Sequence, residues 1–157
     1  MNPDAGKFLK QEIEFIAANG INLADLLRHE VDVVFTSNFL EHLPDKKALT
    51  DFLDQVWAIL APGGRYLIMG PNLRYAPGQY WDAFDHYLGL THMTFIEALE
   101  LKGFSIRICI DRFLPYTTKW ALPTHPWLVW LYLALPFVWP LLGRQFFIIA
   151  EKTADNI

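Results

Sequence analysis

The sequence predicts an α/β fold built on a mainly parallel sheet. Three observations predict it. Residues 31–36 (VDVVFT) and 65–70 (RYLIMG) are short, apolar and rich in β-branched or large side chains, as buried strands are. Between them, Leu49, Leu53, Val56 and Leu60 recur three to four residues apart, with Phe52 and Ile59 beside them. That is the stripe of an amphipathic helix. Finally, Phe104, Ile106, Ile108 and Ile110 alternate with Ser105, Arg107, Cys109 and Asp111, which is the period of a half-buried strand. Strand–helix alternation of this kind implies a sheet with helices on both faces.

The elements follow in order. Residues 3–10 suit a short helical turn opened by Pro3. Residues 13–18 (IEFIAA) read as a strand, broken by the turn pair Asn19-Gly20. Residues 23–27 suit either a loop or a turn of helix. The strand at 31–36 suits burial on both faces and is followed by the loop SNFLEHLPD. A helix begins at Asp45 and is stopped by Pro62-Gly63-Gly64. The strand at 65–70 leads into an irregular, aromatic stretch over 71–93. Thr94 and Glu97 have the spacing of a capping box, so the next helix is expected to start at Thr94 and end at Lys102-Gly103. Residues 145–150 (QFFIIA) read as the final strand.

Composition bounds the function. A chain of 157 residues fits one domain with a sizeable core, and 53% hydrophobic with 19% charged residues is a globular composition. A net charge of −4 and the lack of a basic stripe argue against a nucleic-acid partner. Cys109 is the single cysteine, which excludes an internal disulfide and a cysteine metal cluster. The N-terminal residues show no apolar signal-peptide core, so a cytoplasmic protein is expected.

The order strand, Leu40-Glu41-His42-Leu43, helix, Leu60-Ala61-Pro62-Gly63-Gly64-Arg65, strand, Pro71-Asn72 resembles the middle of a class I S-adenosylmethionine-dependent methyltransferase of the type 11/12 kind. The resemblance covers roughly residues 1–114 and 144–152. It implies a Rossmann-like sheet whose last two strands pair antiparallel at one edge, S-adenosylmethionine as cofactor, and methyl transfer to a small-molecule, sugar or lipid-linked acceptor. Ser37, Asn38 and Phe39 would border the methionine arm of the cofactor. Asn19 and Gly20 match the place of the adenine contact, or form a turn and nothing more. Two family elements are missing: the glycine-rich turn after the first strand and the acidic residue that holds the ribose. The chain thus reads as an N-terminally truncated, partial methyltransferase domain over 1–157. The missing central strand would leave 31–36 as an open edge, which invites homodimerisation or re-pairing with 13–18.

On the acceptor side the resemblance points to Asn72, Tyr75, Tyr80 and Trp81, with His86 beside Asp85, or His92 at a helix entry, as a base. Each has a structural alternative: His92 as a group that satisfies the helix start, and Asp85 as a turn residue. Asp82, Asp85, His86 and His92 have no recognised ligand spacing, so no metal is expected. Glu41-His42 reads as a structural loop signature.

Residues 115–143 form an apolar insertion before the last strand. It carries Trp120, Trp127, Trp130, Trp139 and Tyr132, with no charge between Lys119 and Arg144. Pro123, Pro126, Pro136 and Pro140 break it, so a transmembrane helix is not expected. It either covers the sheet or an acceptor pocket, or rests on a membrane surface through 120–142, at the inner face. Two further readings of the chain remain open: a non-catalytic methyltransferase-like remnant that serves in interaction, and a peripheral membrane-binding protein on a methyltransferase-like scaffold.

Overall fold

The computed structural model describes residues 23–27, 29–116 and 125–153. The expected elements at 3–10 and 13–18, the turn Asn19-Gly20, and Trp120 and Pro123 of the insertion lie outside the described residues.

A short helix α1 (Leu23–Leu26) precedes β1 (Val31–Ser37), and a 3-10 turn (Leu40–His42) follows. Then come α2 (Lys46–Ile59), β2 (Leu60–Pro71), the short α3 (Pro77–Tyr80), α4 (His92–Leu101) and β3 (Phe104–Ile110). The segment before the last strand contains α5 (Pro126–Leu133), a 3-10 turn (Pro136–Val138) and α6 (Trp139–Leu142), and β4 (Gln145–Lys152) closes the described chain. The four strands lie in the order β1-β2-β4-β3. β1 and β2 are parallel, while β4 is antiparallel to both β2 and β3. The parallel pairing is therefore confined to one pair among the described residues, and the expected antiparallel pair occupies the other side of the sheet.

α2 is the crossover that a parallel pair needs. The Asp45 side chain caps it, accepting from the Ala48 amide at 2.8 Å. Its apolar stripe of Leu49, Phe52, Leu53, Val56 and Ile59 is buried as expected. The helix ends earlier than Pro62, at Ile59, because Leu60 already pairs with Val31. Pro62, Gly63 and Gly64 instead form a bulge in β2: Val31 meets Leu60, yet Val33 meets Arg65. Gly63 has φ of 76°, and a Cβ on Gly64 would stand 2.7 Å from the Ala61 carbonyl oxygen, so both positions need glycine.

Tyr66 and Ile68 of β2 with Phe146, Ile148 and Ala150 of β4 form one face of the sheet. Leu53 and Val56 of α2 and Phe95 and Leu99 of α4 all pack on it. Both long helices among the described residues thus share one face. The second face is met by the pair Phe113 and Phe147, with Trp139 of α6 edge-on to Phe113 at 5.0 Å.

Three further expectations are corrected. β1 is not covered on both faces: Val33 and Phe35 are 54% and 57% exposed at the edge of the described sheet. α4 starts at His92, capped by Thr91, whose hydroxyl and that of Thr94 each accept the other's backbone amide. In β3, the register shifts between Ile106 and Ile108, so Ile108 is exposed and the alternation fails beyond that point.

Leu53 is fully buried between α2 and the sheet. Leu53→Ala is expected to cost about 3 kcal/mol through lost burial and a residual cavity. For a chain of this size that lowers the melting temperature by roughly 10 °C, read by circular dichroism. A shift within error of zero would show that α2 is not the core helix described.

Candidate functional site

β1 and β2 run in parallel, so their carboxyl ends open on one edge of the sheet. In open α/β sheets this is where ligands bind. Ser37 closes β1 opposite Met69, and the Asn38 amide donates to the Met69 carbonyl at 3.0 Å. Asn38 has φ of 47°, a left-handed conformation that asparagine tolerates better than most residues. The chain then turns through Phe39, which packs on Phe52, into the 3-10 turn. Glu41 in that turn is 2% exposed. Its carbonyl oxygen accepts from the Tyr87 and Leu88 amides at 2.9 and 3.1 Å. These two bonds fasten the loop after β1 to the aromatic stretch after β2.

Between the two loops lies a cavity of about 370 Å³, lined by Asn38, Glu41, His42, Ala83, Asp85, His86, Tyr116 and Gln145. The His42 Nδ1 group donates to the Asp85 carbonyl at 2.9 Å and lies 3.3 Å from the Asp85 carboxylate. His86 is 8% exposed, and its ring stands edge-on to His42 and Tyr80. Burial pushes the Glu41 carboxyl up, against its backbone hydrogen bond and the neighbouring His42. Burial, with the nearby His42, pushes His86 down, against the Tyr80 backbone and Asp85. The cavity is therefore lined by a carboxyl and an imidazole that both disfavour charge.

A second polar cluster lies apart from this cavity. Asn72 is fully buried. Its amide nitrogen donates to the Asp111 carbonyl at 2.8 Å and to His92 Nδ1 at 2.9 Å. The Tyr75 hydroxyl donates to the Asp111 carboxylate at 2.6 Å, its ring stacks on His92, and Arg112 sits 4.8 Å above the ring centre. His92 is thus held as a neutral acceptor. Burial lowers its pKa from 6.5, against Asp111.

The predicted residues therefore divide. Asn38, Asp85 and His86 line the cavity, with Ser37 and Phe39 flanking its β1 side. Asn72, Tyr75 and His92 belong to the second cluster. Tyr80 is fully buried, donating to the Leu88 carbonyl and accepting from the Leu90 amide at 3.1 Å. Trp81 packs on Tyr80 and is 52% exposed. Asn19 and Gly20 lie outside the described residues. The cavity also contains Glu41 and His42, read from sequence as a loop signature, and Gln145. The available signal was a charged pair inside the apolar frame Phe39-Leu40-Glu41-His42-Leu43, where a carboxylate must be buried with the leucines.

The comparisons with known proteins bear on the fold that carries this site. Residues 2–68 match a family model described as a methyltransferase domain. A S-adenosylmethionine-dependent methyltransferase from Archaeoglobus fulgidus superposes with a TM-score of 0.65 at 22% identity, covering 96% of this chain and 73% of its own. The fold is that of a class I methyltransferase. A chain of the Haloferax volcanii complex between the Trm112 methyltransferase activator and a methyltransferase gives 0.60 at 14% identity, covering 94% of this chain and 65% of that one. A Methanosarcina mazei S-adenosylmethionine-dependent methyltransferase gives 0.54 at 15%, with 82% and 64% covered. No curated protein matches in sequence. The methyltransferase fold accounts for the parallel β1–α2–β2 unit and for the antiparallel β4.

The His92 contact sets a pH dependence. Its folded pKa lies below 6.5, so the unfolded state binds the proton more readily, and stability is lost as pH falls below that value. The melting temperature is expected to drop between pH 7 and pH 5, and to drop less steeply in His92→Gln. Identical slopes for the two proteins would remove His92 from the account.

Proposed function

We propose that this chain binds S-adenosylmethionine and takes part in methyl transfer to a small-molecule, sugar or lipid-linked acceptor. The observation that carries this reading is the cavity beyond the parallel β1–β2 pair, bordered by Asn38 and walled by Glu41, His42 and His86. Ser37, Asn38 and Phe39 are the residues proposed to meet the cofactor's methionine arm. The acceptor would enter from the side of Asp85 and His86. In the reaction a lone pair of the acceptor forms a bond to the methyl carbon as the carbon–sulfur bond breaks. The cofactor leaves as a neutral thioether. The chain's task is alignment, with a proton acceptor needed only where the nucleophile carries a proton. Glu41, His42, Asp85 and His86 are the groups available to receive it.

Titration of the full chain with S-adenosylhomocysteine, followed by calorimetry, tests the reading. Saturable one-to-one binding is expected. Asn38→Val forces a β-branched residue into a left-handed backbone and should weaken binding by about tenfold. If wild type shows no binding, the non-catalytic remnant is the better reading.

A specific observation favours an acceptor at a membrane surface. No residue of α5 is buried, and Trp127, Trp130, Phe137 and Leu141 are 56%, 71%, 72% and 73% exposed. The insertion therefore does not spend these side chains on covering the sheet. No described helix is long and apolar enough to cross a membrane. Tryptophans at headgroup level with leucines below them suit an interfacial element. The full chain is expected to sediment with anionic liposomes, and Trp127→Ser combined with Trp130→Ser is expected to stay in the supernatant. Equal partition of both proteins would leave the patch without this role.

A further inference from the structure

The cavity gathers a donor set that methyl transfer itself does not require. Glu41, His42 and His86 each offer one ligand atom, and these atoms all lie within 4.8 Å of one another. One carboxylate with two imidazoles suits zinc and neighbouring first-row divalent cations. Two further observations point the same way. The His86 Nδ1 atom is buried and has no hydrogen-bond partner, although the residue is more than nine-tenths buried and lines the cavity. An unpaired buried lone pair is a cost that folded proteins rarely leave standing without a purpose. The cluster is also built rather than incidental. Asp85 holds the His42 ring from outside, through its carbonyl and its carboxylate, as outer-shell groups hold metal-binding histidines. The Tyr87 and Leu88 amides fix the backbone of Glu41 against the segment that carries His86.

We propose that Glu41, His42 and His86 bind a divalent transition-metal cation of the zinc type, with its remaining coordination open to the cavity. Asn38 and Gln145 border that open side, and the Gln145 Oε1 atom is likewise buried without a partner. The open position would take water or an oxygen of a bound acceptor. Proton and cation compete for His86 Nδ1, so with the cation bound His86 is a ligand and not a base. The inference goes beyond the methyl-transfer reading and does not depend on it, since the donor set is complete without a nucleoside.

The test uses the full chain stripped with a chelator and titrated with Co²⁺, then with Zn²⁺. One Co²⁺ per chain is expected, with ligand-field bands in the visible region that Zn²⁺ abolishes. The bands should be lost in His86→Gln and in His42→Gln, and kept in His125→Gln, an exposed histidine outside the cluster. Far-ultraviolet circular dichroism establishes that each variant is folded. His42 is 35% exposed in its side chain, so His42→Gln serves where a change at a more buried ligand unfolds the chain. Absence of visible bands at one equivalent overturns the proposal, as does their survival in both His42→Gln and His86→Gln. Titration with S-adenosylhomocysteine on the same preparation is read separately. A chain that binds the cation but no nucleoside keeps this site and loses the methyl-transfer reading, and the reverse result does the opposite.

Discussion

The parallel pairing of β1 with β2 is the constraint on which the rest depends. Parallel neighbours cannot be joined by a tight turn, so the chain must cross over the sheet and return. α2 makes that crossing, and its buried stripe is the main apolar cover of β2. The pairing brings Ser37 and Met69 level. Both strands then release their loops at the same edge, and the loops can meet. Shifting the register by one residue would turn Tyr66 and Ile68 away from the core and Thr36 away from its hydrogen bond with the Tyr66 hydroxyl at 2.8 Å. The bulge at Pro62, Gly63 and Gly64 absorbs the extra residues that the return from α2 requires without disturbing that register.

The two polar clusters beyond this edge differ in how completely they are satisfied, and the difference separates their roles. Around Asn72, the side-chain amide has two acceptors, its oxygen accepts from the Arg74 amide at 3.3 Å, and Tyr75 reaches Asp111. The Arg144 guanidinium donates to the Tyr75 carbonyl, and the Asn72 amide donates to the Arg144 carbonyl at 2.9 Å. A network closed on itself fixes four chain segments and has little left to offer a ligand. Around Glu41, by contrast, His86 Nδ1 and Gln145 Oε1 have no partner, and a cavity stands beside them. Residual polar capacity at a cavity wall is what a ligand can use.

The fold was legible where the pattern reports on one element and its neighbour. The three-to-four spacing of Leu49, Leu53 and Val56 gave α2, and the short apolar runs gave β1, β2 and β4. Legibility failed where a tertiary decision chose between local equivalents. Thr91 and Thr94 both precede residues with capping capacity, and the structure uses Thr91 with Thr94 as its reciprocal partner. The bulge between Ile106 and Ile108 breaks an alternation that looked regular in sequence, because β4 fixes where β3 may pair. The site was half legible. His86 and Asp85 were visible as a titratable pair in an aromatic loop. Their meeting with Glu41 and His42, more than forty positions earlier, was not, since it follows from the hydrogen bonds of Tyr87 and Leu88 to Glu41. His92 is separated from His86 by a few residues in sequence and by a whole network in space.

The apolar insertion leaves and rejoins the sheet at the same edge as the cavity. Ile110 at the end of β3 pairs with Phe147, Gln145 at the start of β4 pairs with Pro71, and Gln145 also lines the cavity. α5 has eight residues, too few for stable helicity on intrinsic propensity alone. Its anchoring comes from a few directed contacts: the Tyr132 hydroxyl donates to the Phe113 carbonyl at 2.6 Å, and the Trp139 indole donates to the Tyr132 carbonyl at 3.0 Å. These bonds spend the polar groups of the segment inward and leave Trp130, Phe137 and Leu141 facing out. A core element would do the reverse, burying the rings and wetting the hydroxyl.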